Sequence, residues 1–292
     1  MTDFILPCDA WDCHLHVLDP LRFPFKVDRA YTPPPASLDS MVKHRHADRL
    51  MLVQASIEDG HAGLLAHLKE CENLYPSIII RGTICYHQNI LEMTTEEFDY
   101  LHDAGVRCVR IHGIYGESSK RWEHVLEQVR ELSASYGIRE LGWTISAQLP
   151  LRAWASLKSF ILDHYDTPND VILIAEHNGC AEPTDIDSPE FGDFLDMLGS
   201  GKLYVKIGAL YRRSPDDFHQ MKGIIQALAK KAPDRLLWGS DWPHVMTGAE
   251  MTSAGSVEAE LFTLREWLSR TEWCKMFVQN PRLLFDTRDN YR

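Results

Sequence analysis

Short apolar and β-branched runs alternate along this chain with longer segments of helical periodicity, and this alternation restricts the possible folds most strongly. Eight strands are predicted, at Ala10–Val17, Leu50–Ser56, Ile78–Tyr86, Val106–Ile114, Trp143–Leu149, Val171–His177, Leu203–Leu210 and Arg235–Trp242. Eight helices are predicted between or after them, at Ser37–Asp48, His61–Tyr75, Thr95–Ala104, Ser119–Tyr136, Leu151–Tyr165, Pro189–Leu198, Pro215–Lys231 and Val257–Leu268. Strands that alternate with helices favour βαβ units and a parallel sheet.

The length of the chain selects one arrangement of these units. Eight βα units in 292 residues fit an α/β fold of the (β/α)8 TIM-barrel type better than an open sheet, since such barrels typically take about 250 residues. No Gly/Ser-rich linker or charge block divides the sequence, so residues 1–292 are expected to form a single domain. The long loop Pro20–Ala36 is expected to cover the mouth of the barrel as a lid.

Charge and cysteine content exclude several classes of partner. The chain has 30 basic and 42 acidic residues, a net charge of −12, whereas binding to nucleic acid needs a basic surface. It contains no apolar run of about 18 residues and no leader-like start, so no membrane partner is expected.

Seven cysteines without a C-x-x-C pair are typical of reduced thiols, which favours a cytoplasmic location. Because soluble homodimers are common, a homodimer is expected on that general ground alone.

Candidate functional residues cluster at the carboxyl ends of the predicted strands, where barrel enzymes carry their chemistry. His14 and His16 stand two residues apart on the first strand, so they share one face. His177 ends the sixth strand and Asp241 follows the eighth. These four side chains are predicted to meet at the mouth of the barrel. Three interpretations stay open for the two strand-one histidines, which are half of a metal site, a pair of hydrogen-bond donors, and two polar residues near a loop.

The fourth strand carries Arg110 and His112 on one face. A charged arginine within a strand is costly to bury without a partner. Two interpretations stay open for Arg110, which are contact with a substrate and a salt bridge inside the barrel. Seven histidines in predicted helices are instead expected at the surface: His44, His46, His61, His67, His102, His164 and His219.

Several motifs in this order give the chain a specific resemblance. The segment Asp12–His16, the segment His177–Gly179 and the segment Gly239–His244 resemble the amidohydrolase superfamily, and within it the amidohydrolase-2 branch of lactonases typified by 2-pyrone-4,6-dicarboxylate lactonase. Further matching segments are Arg22–Phe25, Tyr31–Pro33, Gln54–Ser56, Gly105–Arg110, Tyr211–Arg212 and Asn280–Phe285. The resemblance covers nearly the whole chain.

The resemblance implies roles for individual residues. It makes Asp241 the general base and places His14, His16 and His177 around the reacting carbonyl group. It also implies five residues that contact the substrate: Arg110 and Arg212 at a carboxylate, Tyr31 and Ser56 through hydrogen bonds, and His244 beside Asp241. His244 is equally well explained as a loop residue. The expected activity is hydrolysis of the lactone ring of a small carboxylated substrate.

Two departures from the superfamily pattern bear on metal and substrate. Gln148 stands where metal-dependent members usually carry a strand-five histidine, so a bound Zn²⁺ would keep only His14, His16 and Asp241. Because the lactonase branch is known to work without a divalent metal, no cofactor is expected, and any Zn²⁺ would be adventitious. The basic residue expected soon after Arg110 is absent from residues 114–119, which favours a substrate with one carboxylate or a different lactone.

Two other functions remain open at this point. A metal-dependent aromatic acid decarboxylase of the same superfamily would share the strand-one histidines, His177 and Asp241, although the missing strand-five histidine weighs against it. A barrel that keeps the fold and only binds a partner is the other alternative. The retained set of three histidines and one aspartate argues against that interpretation.

Overall fold

Eight parallel strands form one sheet in the order of the sequence. The structure is a computed structural model that describes residues 6–112, 122–163, 171–245 and 256–286. The strands are β1 (Trp11–Leu15), β2 (Arg49–Val53), β3 (Ile79–Cys85), β4 (Val106–His112), β5 (Thr144–Gln148), β6 (Leu173–Ala175), β7 (Leu203–Ile207) and β8 (Leu236–Trp238). Each strand pairs in parallel with the next, which confirms the predicted TIM barrel.

The sheet closes where the chain beyond β8 meets β1. Leu15 and Trp242 form a parallel bridge, Asp241 N donates to His14 O at 2.8 Å, and His16 N donates to Trp242 O at 2.8 Å. Gly239 makes this approach possible, because a Cβ atom there would lie 2.5 Å from the Cβ atom of His14. The closure therefore fixes the His14 and Asp241 backbones against one another.

Helices surround the barrel in the described part of the chain. They are α1 (Leu38–His44), α2 (Ala62–Leu74), α3 (Thr95–Asp103), α4 (Trp122–Ser133), α5 (Tyr136–Arg139), α6 (Leu151–Ser156), α7 (Lys158–Asp163), α8 (Pro189–Gly199), α9 (Lys222–Lys231), α10 (Val257–Trp267), α11 (Arg270–Cys274) and α12 (Asn280–Phe285). None of the helices within the described residues has the length and apolar character required to cross a bilayer.

Several predicted boundaries are wrong. The predicted helix Leu151–Tyr165 is divided into α6 and α7 around Leu157. The predicted helix Pro215–Lys231 begins only at Lys222, because Asp217 caps a separate 3-10 turn at Phe218–Met221. Residues 113–114 of the predicted fourth strand, 119–121 of the predicted fourth helix and 164–165 of the predicted fifth helix lie outside the described residues. The segment 114–119, which has no basic residue, lies outside them as well.

Two of the histidines expected at the surface are buried instead. His67 is 2 % exposed and contacts the Phe23 ring of the first loop at 5.5 Å between centroids. His102 is 7 % exposed and its Nδ1 accepts a hydrogen bond from the indole N–H of Trp143 at 3.0 Å. His61 is half-buried, and its Nε2 lies 2.8 Å from Nε2 of His87. His164 lies outside the described residues.

The first loop lies at the carboxyl ends of the strands, as the sequence predicts. Leu18 and Ala36 at its two ends form an antiparallel bridge, and Phe25 bridges to Glu58 after β2. Apolar side chains of the loop pack with Ala55 and Ile57, so the loop is held against the β2 end of the barrel. This packing brings Tyr31 to the cavity in the barrel mouth.

Candidate active site

The four residues predicted to converge do meet at the mouth of the barrel. Nε2 of His14 lies 3.8 Å from Oδ1 of Asp241, and Nε2 of His16 lies 3.9 Å from the same oxygen. The ring of His177 stands 4.9 Å from the ring of His14, centroid to centroid. All four side chains are buried. The first carboxylate oxygen of Asp241 thus faces imidazole rings.

The second oxygen of Asp241 is occupied by other partners. Arg212 donates to Oδ2 through Nε and through a terminal nitrogen, both at 2.5 Å, and the Tyr211 hydroxyl donates to it at 3.1 Å. Burial alone would raise the pKa of Asp241, but the charge of Arg212 holds the pKa well below its usual range. Asp241 is therefore a carboxylate at neutral pH with Oδ1 directed to the histidines.

The histidines are neutral near pH 7. Burial lowers the pKa of His177 to about 3 and that of His16 to about 4. Burial, followed by the charge of Lys206, places the pKa of His14 well below its usual value. A neutral imidazole has one donor and one acceptor nitrogen, so the position of each proton decides what each ring can do.

His16 carries its proton on Nδ1. This nitrogen lies 2.7 Å from the carbonyl oxygen of Val53, and a carbonyl only accepts hydrogen bonds. A neutral His16 consequently presents a lone pair at Nε2, on the side of Asp241. It can accept a proton or a hydrogen bond there, but it cannot donate one to a substrate oxygen.

A buried network of charges lies below these rings. The guanidinium of Arg110 donates to Oε2 of Glu176 at 2.8 and 2.9 Å and to Gln148 at 3.2 Å. Lys206 Nζ lies 3.5 Å from Oε1 of the same glutamate. Burial would raise the pKa of Glu176, but Arg110 and then Lys206 hold it far below its usual range. Arg110 thus forms the predicted internal salt bridge. It also lines the cavity, so contact with a substrate stays a prediction.

A cavity of roughly 550 Å³, including its open mouth, lies above the network. It is lined by His16, Leu18, Tyr31, Ala55, Arg110, His112, Gln148, His177, Arg212, Asp241 and Val245. The charged residues in this lining are Arg110 and Arg212 against the carboxylate of Asp241. With neutral histidines the lining has a surplus of one positive charge, which attracts an anion.

Two residues that are predicted to contact the substrate, Ser56 and His244, lie behind the residues that line the cavity. The half-buried Ser56 hydrogen-bonds to the Tyr31 hydroxyl, so Ser56 reaches the cavity through Tyr31. His244 is half-buried, and its Nδ1 lies 3.4 Å from the hydroxyl of Tyr211. His244 N also donates to Asp241 O at 2.7 Å. His244 therefore supports the turn that holds Asp241 and the tyrosine that binds it.

The strand ends turn sharply to present these side chains. His177, Ala209 and Asp241 all have left-handed backbone, with φ of 48°, 49° and 62°, a conformation that costs non-glycine residues free energy. The amide of Asn178 compensates by donating to Gly208 O at 2.9 Å and accepting from Gly208 N at 3.2 Å. This explains why β6 and β8 end earlier than predicted, since the predicted strands ran into the turns.

Glu260 supports the turn after β7 from the outer helix layer. Its two carboxylate oxygens accept from the backbone N–H groups of Ala209, at 3.2 Å, and Leu210, at 2.7 Å. The residue belongs to α10 and is 7 % exposed. Burial raises the pKa of this carboxyl to about 7. The turn it holds leads directly into Tyr211 and Arg212.

The donor set for a metal ion differs from the one predicted. One atom each from His14, His177 and Asp241 lies within 4.8 Å of the others, whereas the sequence named His16 in place of His177. Three ligands and a water would satisfy Zn²⁺ in number. Two features count against the fit: the ammonium of Lys206 stands 3.3 Å from Nδ1 of His14, and the cation of Arg212 is already bound to Asp241.

Sequence reasoning gave no role to Lys206, Glu176 and Tyr211. A lysine in the middle of a buried parallel strand and a glutamate beside a strand-end histidine carry the same signal that singled out Arg110. Tyr211 belonged to a matching motif, but only its neighbour Arg212 received a function.

Comparisons with known proteins show which family and which relatives the chain is similar to. A family model described as amidohydrolase matches residues 11–287. A 4-sulfomuconolactone hydrolase of Hydrogenophaga intermedia is 24% identical, over 97% of this chain and 90% of that protein. A 2-pyrone-4,6-dicarbaxylate hydrolase of Comamonas testosteroni is 28% identical, over 82% of this chain and 79% of its own length.

The fold comparison gives a consistent result. A crystal structure from Agrobacterium tumefaciens superimposes with a TM-score of 0.75 at 18% identity, covering 96% of this chain and 97% of the other. At that identity the likeness concerns the fold. Since the family model spans almost the whole sequence and the barrel agrees with it, the chain belongs to the amidohydrolase family.

Proposed function

We propose that this protein hydrolyses the ring ester of a small lactone that carries a carboxylate. The observation that carries the proposal is the state of Asp241, an ionised base whose Oδ2 is bound by Arg212 and Tyr211 and whose Oδ1 faces the histidines. The relatives named as lactone hydrolases support the choice of reaction. The excess positive charge of the cavity supports an anionic substrate.

The reaction begins with a water molecule between Asp241 and the substrate. Oδ1 of Asp241 accepts a proton from water while the water oxygen adds to the lactone carbonyl carbon. The lone pair on Nε2 of His16 accepts a hydrogen bond from the same water and orients it. This role for His16 replaces the oxyanion contact expected from the sequence, because its Nδ1 is committed to Val53 O.

The carbonyl oxygen becomes an oxyanion in the tetrahedral intermediate. His14 and His177 lie next to Asp241 and are proposed to donate hydrogen bonds to that oxygen. Fixed donors in a buried site stabilise developing charge without reorganising. When the intermediate collapses, the ring C–O bond breaks and the proton held by Asp241 passes to the leaving oxygen. The product is an open-chain acid.

Arg110 and Arg212 are proposed to bind the substrate carboxylate, with Tyr31 adding a hydrogen bond supported by Ser56. Both guanidinium groups line the cavity, and arginine matches a carboxylate by paired N–H donors. His244 holds Tyr211 and the Asp241 turn. A surplus of one positive charge favours a single carboxylate over two. We propose that no divalent metal takes part, so any Zn²⁺ bound there is adventitious.

Asp241→Asn tests the base. The amide keeps the size of the side chain and cannot accept the proton, so kcat for a carboxylated lactone should fall by about 10²–10⁴-fold. Substrate KM and the far-ultraviolet dichroism should change little. Asp216→Asn, at an exposed loop position, is the matched control and should retain full activity. An unchanged kcat in Asp241→Asn would remove the aspartate from the mechanism.

Exhaustive chelation separates hydrolysis without metal from the metal-dependent decarboxylase alternative. If the protein is a lactonase of the proposed kind, ring opening continues after metal removal. Ring opening is measured by the release of acid. Activity lost on chelation and restored by Zn²⁺ or Mn²⁺, with release of CO₂ from an aromatic acid, would favour the decarboxylase instead.

The carboxylate contact needs a variant that leaves no unpaired buried charge. Arg110→Met meets this condition, because Glu176 keeps Lys206 as a cation partner at 3.5 Å. KM for carboxylated lactones should then rise about 10–100-fold, since a hydrogen bond to a charged group contributes about 1.5–3 kcal/mol. Neutral lactones should be affected much less. An equal effect on both substrate classes would remove Arg110 from carboxylate binding.

A further inference from the structure

A lysine is buried in the barrel wall directly below the catalytic cluster. Lys206 lies in β7 and is 3 % exposed. Its Nζ atom is 3.3 Å from Nδ1 of His14 and 3.5 Å from Oε1 of Glu176. A lysine is seldom fully buried unless it is paired, and here the pairing involves one of the four residues assigned to catalysis.

The contact determines where His14 carries its proton. An ammonium group has donors and no acceptor, so Lys206 donates and Nδ1 of His14 accepts. The neutral ring then has its proton on Nε2. This second nitrogen is buried, has no hydrogen-bond partner among the described residues and lies 3.8 Å from Oδ1 of Asp241. It is thus directed to the place where the reaction is proposed to occur.

The alternative proton position is also visible in the structure. Nδ1 of His14 lies 3.6 Å from Oε1 of Glu176, so a proton on Nδ1 would point to that carboxylate if Lys206 were absent. A proton on Nδ1 leaves a lone pair on Nε2, and that is the state in which Nε2 ligates a metal. Lys206 and Glu176 consequently favour opposite states of the same ring.

We propose that Lys206 is a positioning residue that fixes His14 as a neutral donor through Nε2 and, by the same contact, prevents Nε2 from ligating a metal. His16 is held in the reverse state by Val53 O. The two histidines of one motif are therefore a donor and an acceptor, not an equivalent pair. The part that the His14 donor plays in turnover rests on the proposed lactone hydrolysis, whereas its proton position does not.

Histidine ¹⁵N NMR on the unmodified protein tests the proton position without any substrate. The two-bond correlations of the ring distinguish a protonated from an unprotonated nitrogen, and the His14 signals are assigned by their loss in His14→Asn. We expect a protonated Nε2 and an unprotonated Nδ1. The opposite pattern, or a doubly protonated ring at neutral pH, would overturn the proposal.

Lys206→Met tests the cause. The variant removes the donor at similar volume, so the His14 proton should move to Nδ1 and towards Glu176. Zn²⁺ should then bind about 10–100-fold more tightly by calorimetry, the range over which outer-shell partners tune metal affinity. Lys222→Met, at an exposed helix position, should leave both readouts unchanged.

The outcomes separate this proposal from the proposed function. If Lys206→Met folds and neither the ring signals nor the Zn²⁺ affinity changes, the lysine does not control His14. If Lys206→Met fails to fold, the measurement on the unmodified protein decides. If the signals behave as expected but lactones are not hydrolysed, the proposed function fails while the assignment of Lys206 stands.

Discussion

The two oxygens of the Asp241 carboxylate have different environments, and this asymmetry organises the site. Oδ2 accepts from Arg212 and Tyr211, which orients the carboxylate and keeps it ionised. Oδ1 faces His14 and His16, where water and substrate meet in the proposed reaction. An aspartate whose two oxygens both bind cations has no oxygen left to accept a proton. In Asp241, Oδ1 is left for the proposed reaction.

Tyr211→Phe probes this arrangement at the level of one hydrogen bond. The change removes the donor to Oδ2 and leaves the ion pair with Arg212, so kcat should fall about tenfold, the value of one hydrogen bond to a charged group. The lost donor favoured the carboxylate form, so its pKa should rise. The acid limb of the pH–rate profile should move to higher pH.

Tyr204→Phe is the control for this measurement. Tyr204 lies in β7, which precedes the turn that carries Tyr211, and its hydroxyl accepts a hydrogen bond from Arg235 outside the site. The activity and the pH profile should therefore stay unchanged. A Tyr211→Phe profile that matches the control would show that the Tyr211 hydroxyl does not act on Asp241.

The site residues found from the sequence share a recognisable position. His14, His16, His177 and Asp241 stand at strand ends, where barrel geometry and period-two alternation predict that side chains converge. The sequence predicts no role for Lys206 and Glu176, because the role of each depends on which ring or cation it contacts. Only the three-dimensional structure shows those contacts. The proton positions of His14 and His16 follow from Lys206 and Val53 O, and no sequence pattern encodes them.

At the scale of elements, the type and order of all eight strands were predicted, while their ends were not. Parallel strands buried on both faces give a strong apolar signal. The left-handed turns at His177, Ala209 and Asp241 give none, because these residues are not glycine. The predicted starts of helices are wrong for a similar reason. A short 3-10 turn such as Phe218–Met221 replaces the first turn of a predicted helix.

Gly239→Ala tests the junction between the β8 end and β1. The added Cβ would lie 2.5 Å from Cβ of His14 and 3.1 Å from its backbone N, so one of the strands must move. We expect a loss of about 1–3 kcal/mol of unfolding free energy, as for other overpacked cores. A fall in kcat should accompany it because His14 is displaced.

The control for this junction is another glycine. Gly192 in α8 has no atom within 4 Å of an added Cβ, so Gly192→Ala should be neutral or stabilise by about 0.5–1 kcal/mol. Urea denaturation of both variants measures the difference. Equal stability of the two variants would mean that the β8 end does not need the glycine.

At the scale of the whole molecule, two sets of buried titratable groups have opposite effects on how folding stability depends on pH. Burial lowers the pKa values of nine imidazoles among the described residues. The pKa falls to about 4 in His16 and His61 and to about 3 in His112 and His177, and it lies below its usual value in His14, His46, His67, His87 and His244. Burial raises the pKa values of three acids to about 6 or 7: Asp12, Glu58 and Glu260. The first group makes the fold less stable at acid pH, and the second makes it less stable at neutral pH.

The balance predicts how stability depends on pH. Below pH 6.5 the unfolded chain binds protons on its histidines that the folded chain rejects, so folding stability falls as pH is lowered towards 4. The raised acids act in the opposite direction between about pH 7 and 4, because the folded state then binds their protons first. The imidazoles outnumber the acids, so the unfolding free energy should decrease from pH 6.5 to 4.5.

His112→Gln checks this balance by removing one half-buried imidazole whose pKa is lowered to about 3. The slope of unfolding free energy against pH should flatten by up to about 1.4 kcal/mol per pH unit, the contribution of one proton. His219→Gln, at an exposed position, should keep the slope of the unmodified protein. An unfolding free energy that increases on acidification would contradict the assignment of neutral buried histidines.

The hydrogen bonds between Glu260 and the turn after β7 have a consequence for folding during synthesis. The carboxylate that holds Ala209 and Leu210 comes from a helix near the end of the chain, and His14 at the beginning is aligned by residues 239–242. A nascent chain on the ribosome therefore cannot assemble a working centre until synthesis has passed position 260. The candidate site is therefore completed only after all eight strands of the barrel have been synthesised.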